Sequence, residues 1–188
     1  MNSSPAIAAN AAWQDGWWLA AERRCSPNFN ARPDGSVIDL VVLHHISLPP
    51  GRFGGDEVGA FFENRLDPRG NLELEAIAHL QVSAHFFLRR DGSLQQFVSC
   101  DDRAWQAGVS CWRGRHACND YSIGIELEGD AVQRFEAAQY AALDTLLAAI
   151  ATRYPIRAVT THSEIAAGRK IDPGPTFDFS RLTRRWSI

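Results

Sequence analysis

A run of apolar and β-branched residues extends from Val37 to Leu43, with Asp39 as its single polar member. A strand buried on both faces has this composition, because the layers that pack on either side of a sheet exclude water from both rows of side chains. The run is followed at once by His44 and His45. The sequence therefore predicts a buried strand that delivers two adjacent histidines to one edge of a sheet.

Strands and helices alternate along the rest of the chain. The Asp91-Gly92 pair predicts a tight turn between two strands within residues 83–99, because glycine adopts positive φ angles without strain. The other predicted elements are a short helix around residues 58–66, a strand over 121–127, the main core helix over 135–154, a strand over 158–161 and a loop over 168–175. This interleaving predicts an α/β fold in which α-helices flank a central mixed β-sheet.

Length and composition predict one globular domain over residues 1–188, with residues 1–20 as an N-terminal extension. The formal net charge is -3, and 22% of the residues are charged, which argues against a basic nucleic-acid-binding surface. The chain has no apolar run of about 18 residues, and residues 1–20 lack the basic and apolar segments of a signal peptide. We therefore expect a cytoplasmic protein. The four cysteines form no CxxC pair and are expected to be reduced.

Polar residues near the predicted strand ends could meet in one metal site. His162 follows the strand at residues 158–161, and Asp172 lies ten positions later in the predicted loop. His44 and His45 point to opposite faces of their strand, and periodicity does not decide which of them joins that pair. Two imidazoles and one carboxylate would leave zinc a fourth position for water. The alternative interpretation is a set of scattered structural histidines.

Lys170, Glu126 and Trp105 are further candidates for catalysis or binding. Lys170 is the only lysine in the chain, and its compact ammonium could approach a developing oxyanion where a guanidinium would crowd a metal. Glu126 faces away from the apolar residues of its strand and could accept a proton from an attacking water, or it could simply face solvent. Trp105 could stack on a sugar or peptide, or it could pack in the core.

Four segments of the chain together resemble the AmpD family. They are His44-His45-Ile46-Ser47-Leu48-Pro49-Pro50-Gly51, Val82-Ser83-Ala84-His85, Ile123-Gly124-Ile125-Glu126-Leu127-Glu128-Gly129, and His162 through Gly168-Arg169-Lys170-Ile171-Asp172-Pro173-Gly174. The resemblance runs from about Cys25 to Trp186. This family belongs to the wider group of N-acetylmuramoyl-L-alanine amidases, with phage-type amidases and peptidoglycan recognition proteins. The resemblance therefore implies a mixed sheet flanked by helices.

The resemblance also implies residue roles and a substrate. His44, His162 and Asp172 fall on the zinc ligands of the family, Glu126 on its catalytic glutamate and Lys170 on its catalytic lysine. The implied reaction is zinc-dependent hydrolysis of the amide bond between the lactyl group of 1,6-anhydro-N-acetylmuramic acid and L-alanine, in peptidoglycan recycling and cell-wall turnover. The expected partner is an anhydromuramyl peptide, not nucleic acid or a membrane, and we expect a monomer.

The chain departs from the family pattern at positions close to the predicted site. His45 stands where the family commonly has asparagine, Gln106 where a histidine usually follows the tryptophan, and Ala117 where an arginine often precedes Cys118. The loss of that arginine removes a bidentate partner for a peptide carboxylate. All the implied metal ligands are present, which favours an amidase over two alternatives, a non-catalytic module that binds peptidoglycan fragments and a metal-free interaction protein.

Overall fold

The computed structural model describes residues 12–182. Its strands are β1 (Trp13–Gln14), β2 (Trp17–Trp18), β3 (Glu22–Arg23), β4 (Phe29–Asn30), β5 (Leu40–Ile46), β6 (Phe86–Leu88), β7 (Leu94–Gln96), β8 (Arg103–Ala104), β9 (Cys111–Trp112), β10 (Arg115–His116), β11 (Ser122–Glu128) and β12 (Ala158–Thr161). Its α-helices are α1 (Glu57–Phe62), α2 (Leu72–Glu75), α3 (Ala137–Arg153) and α4 (His162–Ile165). Short 3₁₀ helices span Cys118–Asp120 and Phe179–Arg181. Residues 1–11 of the predicted extension and the end of the resemblance at Trp186 lie outside the described residues.

The main sheet has six strands in the spatial order β12-β5-β11-β6-β7-β3. Strands β12, β5, β11 and β6 run parallel to one another, whereas β7 pairs antiparallel with β6 and parallel with β3. The sheet is thus mixed, and α3 packs on one of its faces through residues such as Leu143 and Leu147. The predicted α/β fold is confirmed. None of the helices described is long and apolar enough to span a bilayer.

The buried strand begins later and ends later than its apolar run predicts. Val37 is 50% exposed, and β5 starts only at Leu40. Backbone pairing explains the shift, because β5 is aligned along its whole length, Leu40 to Ile46, with the seven residues of β11. The predicted start at Val37 was therefore wrong. Hydrophobicity indicates which residues can be buried, whereas backbone pairing with the neighbouring strands determines where the strand begins.

The other predicted elements agree more closely with the structure. Helix α3 begins after Glu136, whose side chain forms a capping box with Gln139, and it ends just before the Tyr154-Pro155 pair. The predicted hairpin is formed by β6 and β7, with Gly92 at a φ of 87°. The predicted helix at residues 58–66 is shorter, because Asn64 adopts a left-handed φ of 57° and ends it.

The two faces of the central strands have different surroundings. On the face covered by α3, β5 and β11 contribute to the main core the residues Val41, Leu43, Ile123, Ile125 and Leu127. On the opposite face, Leu40 and Val42 join a smaller cluster with Ala107. Side chains alternate along a strand, so His44 and Glu126 follow on this second face. The fold thus places polar residues at the carboxyl ends of parallel strands, away from the main core.

The described part of the predicted extension packs against the domain. Trp13 is buried in the main core, with its ring centroid 6.0 Å from that of Tyr154 and 6.2 Å from that of Trp18. Cys100 is buried in the same core, and it and the other three cysteines are free thiols. Residues 12–20 therefore contribute to the stability of the fold.

Candidate active site

Three neighbouring parallel strands bring the predicted site residues to one edge of the sheet. His44 in β5 lies directly beside Glu126 in β11, and His162 follows the last residue of β12 and begins α4. Residues side by side in parallel strands point to the same face, so the register selects His44 as the neighbour of Glu126. This decides the choice between His44 and His45 that periodicity leaves open.

His44, His162 and Asp172 form a compact buried group. The Nδ1 atoms of the two histidines are 2.9 Å apart, and Oδ2 of Asp172 lies 3.2 Å from Nδ1 of His44 and 2.9 Å from Nδ1 of His162. None of the three residues is more than 9% exposed. The amide of Ser163 donates to the carbonyl of Asp172 at 3.0 Å, which ties the Asp172 loop to α4. Within residues 12–182 this is the group with metal-ligand spacing.

The charges of this group suit a cation. Burial lowers the pKa of His44, although the adjacent carboxylate of Asp172 opposes this effect. Burial alone would raise the pKa of Asp172, but the adjacent imidazoles of His162 and His44 outweigh this effect, and the resulting pKa lies well below its ordinary value. Imidazole nitrogens and one ionised carboxylate oxygen are ligands that divalent transition metals accept. The residues present therefore fit a metal ion.

Glu126 lies beside the three donors and has an unpaired oxygen. Its Oε1 is 3.9 Å from Nδ1 of His44, and its buried Oε2 has no hydrogen-bond partner among the described residues. Burial raises the pKa of Glu126 well above its ordinary value, and the negative charge of Asp172 raises it further, while Lys170 lowers it. This carboxyl group can therefore interact with a molecule in the cleft.

His162, Asp172 and Glu126 line a cleft of about 260 Å³, which Lys170 and Trp105 also line. His44 is fully buried beside His162 and Asp172. Trp105 is half-buried, and its indole N–H donates to Oδ1 of Asn30 at 2.7 Å. A larger hollow of about 640 Å³, lined by residues such as Phe177 and Arg181, contains none of these groups. Of the six predicted site residues, five thus line one cleft, and the sixth, His44, contacts two of them.

The three positions that depart from the family pattern have different surroundings. Nδ1 of His45 donates to the carbonyl of Pro173 at 2.9 Å, which links β5 to the Asp172 loop. Ala117 is exposed and has a left-handed φ of 57°. Gln106 contacts Nε2 of His44 through Oε1. The sequence interpretation assigned Gln106 no role at the site, and its departure from the family pattern was the only signal available.

The remaining histidines lie away from this group. His79 and His116 are exposed. His85 is fully buried, but its partners are the amide of Gly124, the carbonyl of Asp102 and the guanidinium of Arg32. The sequence left scattered structural histidines as an alternative interpretation. These three histidines fit that description, whereas the pair that meets Asp172 does not.

Comparisons with known sequences identify relatives over most of the chain. Residues 34–175 match the family model described as N-acetylmuramoyl-L-alanine amidase. The chain is 49% identical over 170 residues to 1,6-anhydro-N-acetylmuramyl-L-alanine amidase AmpD of Citrobacter freundii, covering 89% of this chain and 91% of that protein. It is 47% identical over 171 residues to AmpD of Escherichia coli strain K12, covering 90% and 93%.

Solved structures agree with the sequence relatives. The crystal structure of a selenomethionine AmpD derivative matches with a TM-score of 0.89 and 47% identity, covering 93% of this chain and 98% of that one. The amidase AmiD of E. coli, in complex with the substrate anhydro-N-acetylmuramic acid-L-Ala-D-gamma-Glu-L-Lys, matches with a TM-score of 0.58 and 30% identity, covering 82% and 60%. With the family model, the relatives and the fold in agreement, this chain belongs to the N-acetylmuramoyl-L-alanine amidase family.

Proposed function

We propose that this protein is a zinc-dependent amidase that cleaves the amide bond between the lactyl group of 1,6-anhydro-N-acetylmuramic acid and L-alanine. The relatives named for this activity cover about nine-tenths of the chain. The observation that carries the proposal is the buried group of His44, His162 and Asp172, with an unpaired oxygen of Glu126 beside it. The product sugar and peptide would return to cell-wall synthesis in peptidoglycan recycling.

His44, His162 and Asp172 would hold the zinc ion. Two imidazoles and one carboxylate are a ligand set of catalytic zinc sites, which keep one position open for water or substrate. When bound, zinc would supply a Lewis acid that polarises the substrate carbonyl and lowers the pKa of a water molecule. The hydrogen bond from the Ser163 amide in α4 to the Asp172 carbonyl helps to keep these donors close together before a metal binds.

Glu126 is the proposed proton carrier. Its Oε2 has no partner in the described protein and can accept the proton of the attacking water. The same carboxyl group then gives a proton to the leaving nitrogen of L-alanine, so one residue acts first as base and then as acid. Lys170 lines the same cleft, and its ammonium would stabilise the negative charge that develops on the lactyl carbonyl oxygen.

The cleft also supports a substrate with both apolar and polar parts. Its lining includes the apolar residues Leu48, Phe61 and Val82, together with Trp105 and Lys170. An indole ring beside a cationic side chain can stack on a sugar or peptide face while the ammonium meets an oxygen. The cytoplasmic location, the monomeric state and the absence of nucleic-acid and membrane partners stay predictions from sequence.

The decisive test is cleavage of an anhydromuramyl tripeptide, followed by mass spectrometry. We expect release of the L-alanyl peptide, loss of this release after chelation, and its recovery when zinc is added back. The same tripeptide with a free amino terminus in place of the sugar is the control and should stay intact. Binding of the substrate without cleavage would contradict the proposal and favour a peptidoglycan-fragment recognition module.

A further inference from the structure

One short segment contacts both metal-site histidines on the side away from Asp172. Oε1 of Gln106 meets Nε2 of His44, and the carbonyl of the next residue, Ala107, meets Nε2 of His162 at 3.3 Å. The Nδ1 atoms of both rings face the other way, toward Asp172. Two consecutive residues, Gln106 and Ala107, therefore contact the Nε2 atoms of His44 and His162, respectively.

The direction of these hydrogen bonds follows from their neighbours. The hydroxyl of Ser122 lies 2.6 Å from the carbonyl of Cys118, which can only accept, so the single hydroxyl proton is used there. Oγ of Ser122 must then accept from Nε2 of Gln106, 2.8 Å away. This orients the amide of Gln106 so that Oε1 faces His44 and accepts a proton from its Nε2.

The tautomer of His162 follows from its contact with a backbone carbonyl. A backbone carbonyl cannot donate, so Nε2 of His162 must carry the proton that it shares with Ala107. Arg169 donates to the same carbonyl at 2.8 Å, which leaves the oxygen in its acceptor role. In both rings the proton lies on Nε2, and Nδ1 keeps the free electron pair that a metal needs.

The segment itself is held by the protein around it. Oδ1 of the buried Asn119 accepts from the amide of Gln106 at 3.2 Å and from the amide of Ala107 at 2.9 Å. Gly124 leaves room for the Gln106 side chain above β11, because a Cβ atom at that position would lie 2.6 Å from Cγ of Gln106. The position of Gln106 is thus built into the sheet and into the turn that contains Asn119.

We propose that Gln106 and the Ala107 carbonyl, both held by Asn119, are the positioning group that keeps His44 and His162 protonated on Nε2 and ready to bind the metal through Nδ1. The inference rests on the proposed function in assigning His44 and His162 as ligands. It gives Gln106 a role that suits the departure from the family pattern, because a carboxamide oxygen is a neutral acceptor that cannot lose its role by protonation. Gln106 would act through its contact with His44.

The first test is the ring tautomer, measured by nitrogen-15 NMR of the histidines in metal-free protein at alkaline pH. The wild-type protein should show the proton on Nε2 in both His44 and His162. In Gln106→Met, which keeps the chain length but removes the acceptor oxygen, His44 should lose this preference while His162 retains it. A proton on Nδ1 of His44 in the wild-type protein would overturn the inference, whatever the protein binds.

The second test is zinc affinity, measured by competition with a chelator. Gln106→Met should bind zinc about 10- to 100-fold more weakly, whereas Gln106→Glu, which keeps an acceptor oxygen, should restore binding. The control Gln133→Met changes an exposed glutamine and should leave affinity unchanged. Equal affinity in wild type and Gln106→Met would contradict the inference. If the wild-type protein bound no zinc, the proposed zinc dependence would be wrong. The tautomer measurement would still test the role of Gln106.

Discussion

Two fully buried histidines, His44 in β5 and His85 next to β6, have hydrogen bonds of opposite character. Nδ1 of His85 accepts from the amide of Gly124 at 3.0 Å, so this ring is completed by the protein itself. Nδ1 of His44 instead faces another imidazole nitrogen and a carboxylate oxygen. Burial lowers the pKa of both rings. Burial is therefore common to His85 and to the proposed metal ligand His44, and the nature of their hydrogen-bond partners distinguishes them.

Arg32 completes the structural cluster around His85. Its guanidinium lies 3.1 Å from Nε2 of His85 and donates to the carbonyls of Cys100, Asn119, Asp120 and Ser122 at 2.9 to 3.1 Å. The donor groups of this cluster thus meet backbone acceptors. At the His44 site, acceptor atoms face one another, and a bound cation would stabilise that arrangement. The difference leads to contrasting predictions for the two clusters.

The largest effect is expected from His162→Ala. Removing one of two imidazole donors should abolish zinc binding and reduce amidase activity below detection, because the remaining donors no longer surround an ion. Metal analysis after dialysis measures the first effect, and peptide release measures the second. His116→Ala changes an exposed histidine and should keep its zinc. Stoichiometric zinc in His162→Ala would contradict the assignment of the site.

Glu126→Gln should separate proton transfer from metal binding. The amide keeps the size of the side chain but cannot accept the proton of the attacking water, so kcat should fall by about 10²- to 10⁴-fold. Zinc content should stay at the wild-type level, since Glu126 is not among the three donors. The matched control is Glu73→Gln at an exposed position. A kcat within a few-fold of wild type would exclude Glu126 as the proton carrier.

Arg32→Met should affect stability and leave zinc stoichiometry unchanged. The variant leaves buried carbonyl groups without their charged donor, at a cost of about 3 kcal/mol in the free energy of unfolding. Urea denaturation measures this loss, and metal analysis of the folded protein measures zinc. Arg69→Met removes an arginine with an 89% exposed side chain and should change stability little. If Arg32→Met lost its zinc while remaining stable, the division between the two clusters would be wrong.

The elements that sequence predicted well are those with a local cause. The capping residues and Pro155 bound α3, and the Asp91-Gly92 pair directs the hairpin, because these effects act within a few residues. The strand β12 was predicted at the bounds it has, and it delivers His162 as expected. The start of β5 was not predicted, since it depends on pairing with a strand that lies about 80 positions away in the chain.

The candidate site was predictable as a list of residues but not as a geometry. Resemblance supplied His44, His162 and Asp172, and the structure brings them within hydrogen-bond distance. The choice of His44 over His45 required the register of β5 against β11. The contact of Gln106 with His44 depends on Gly124, which leaves room for the side chain, and on Asn119, which binds the backbone of Gln106. No local sequence pattern predicts that these residues come together.

The smallest expected effect is the dependence of protein stability on acid pH, which arises from His85. Burial, helped by the charge of Arg32, lowers the pKa of His85 from 6.5 to about 3 in the folded protein, against the hydrogen bond with Asp102. At a pH between these two values, His85 is protonated in the unfolded chain but neutral in the folded protein. The contribution of neutral His85 is therefore complete above the ordinary pKa and is lost as pH falls, by up to about 1.4 kcal/mol per pH unit.

His85→Gln should reduce this acid sensitivity, since glutamine offers a polar group that cannot be protonated in this range. Urea denaturation of both proteins, across the interval between the two pKa values, isolates His85, because every other titrating group is common to both. The variant is expected to be less stable at neutral pH, where the amide of Gly124 loses its imidazole acceptor, and the two curves should converge as pH falls. Parallel curves would mean that His85 already carries a proton in the folded protein, and the contrast with His44 would then rest on geometry alone.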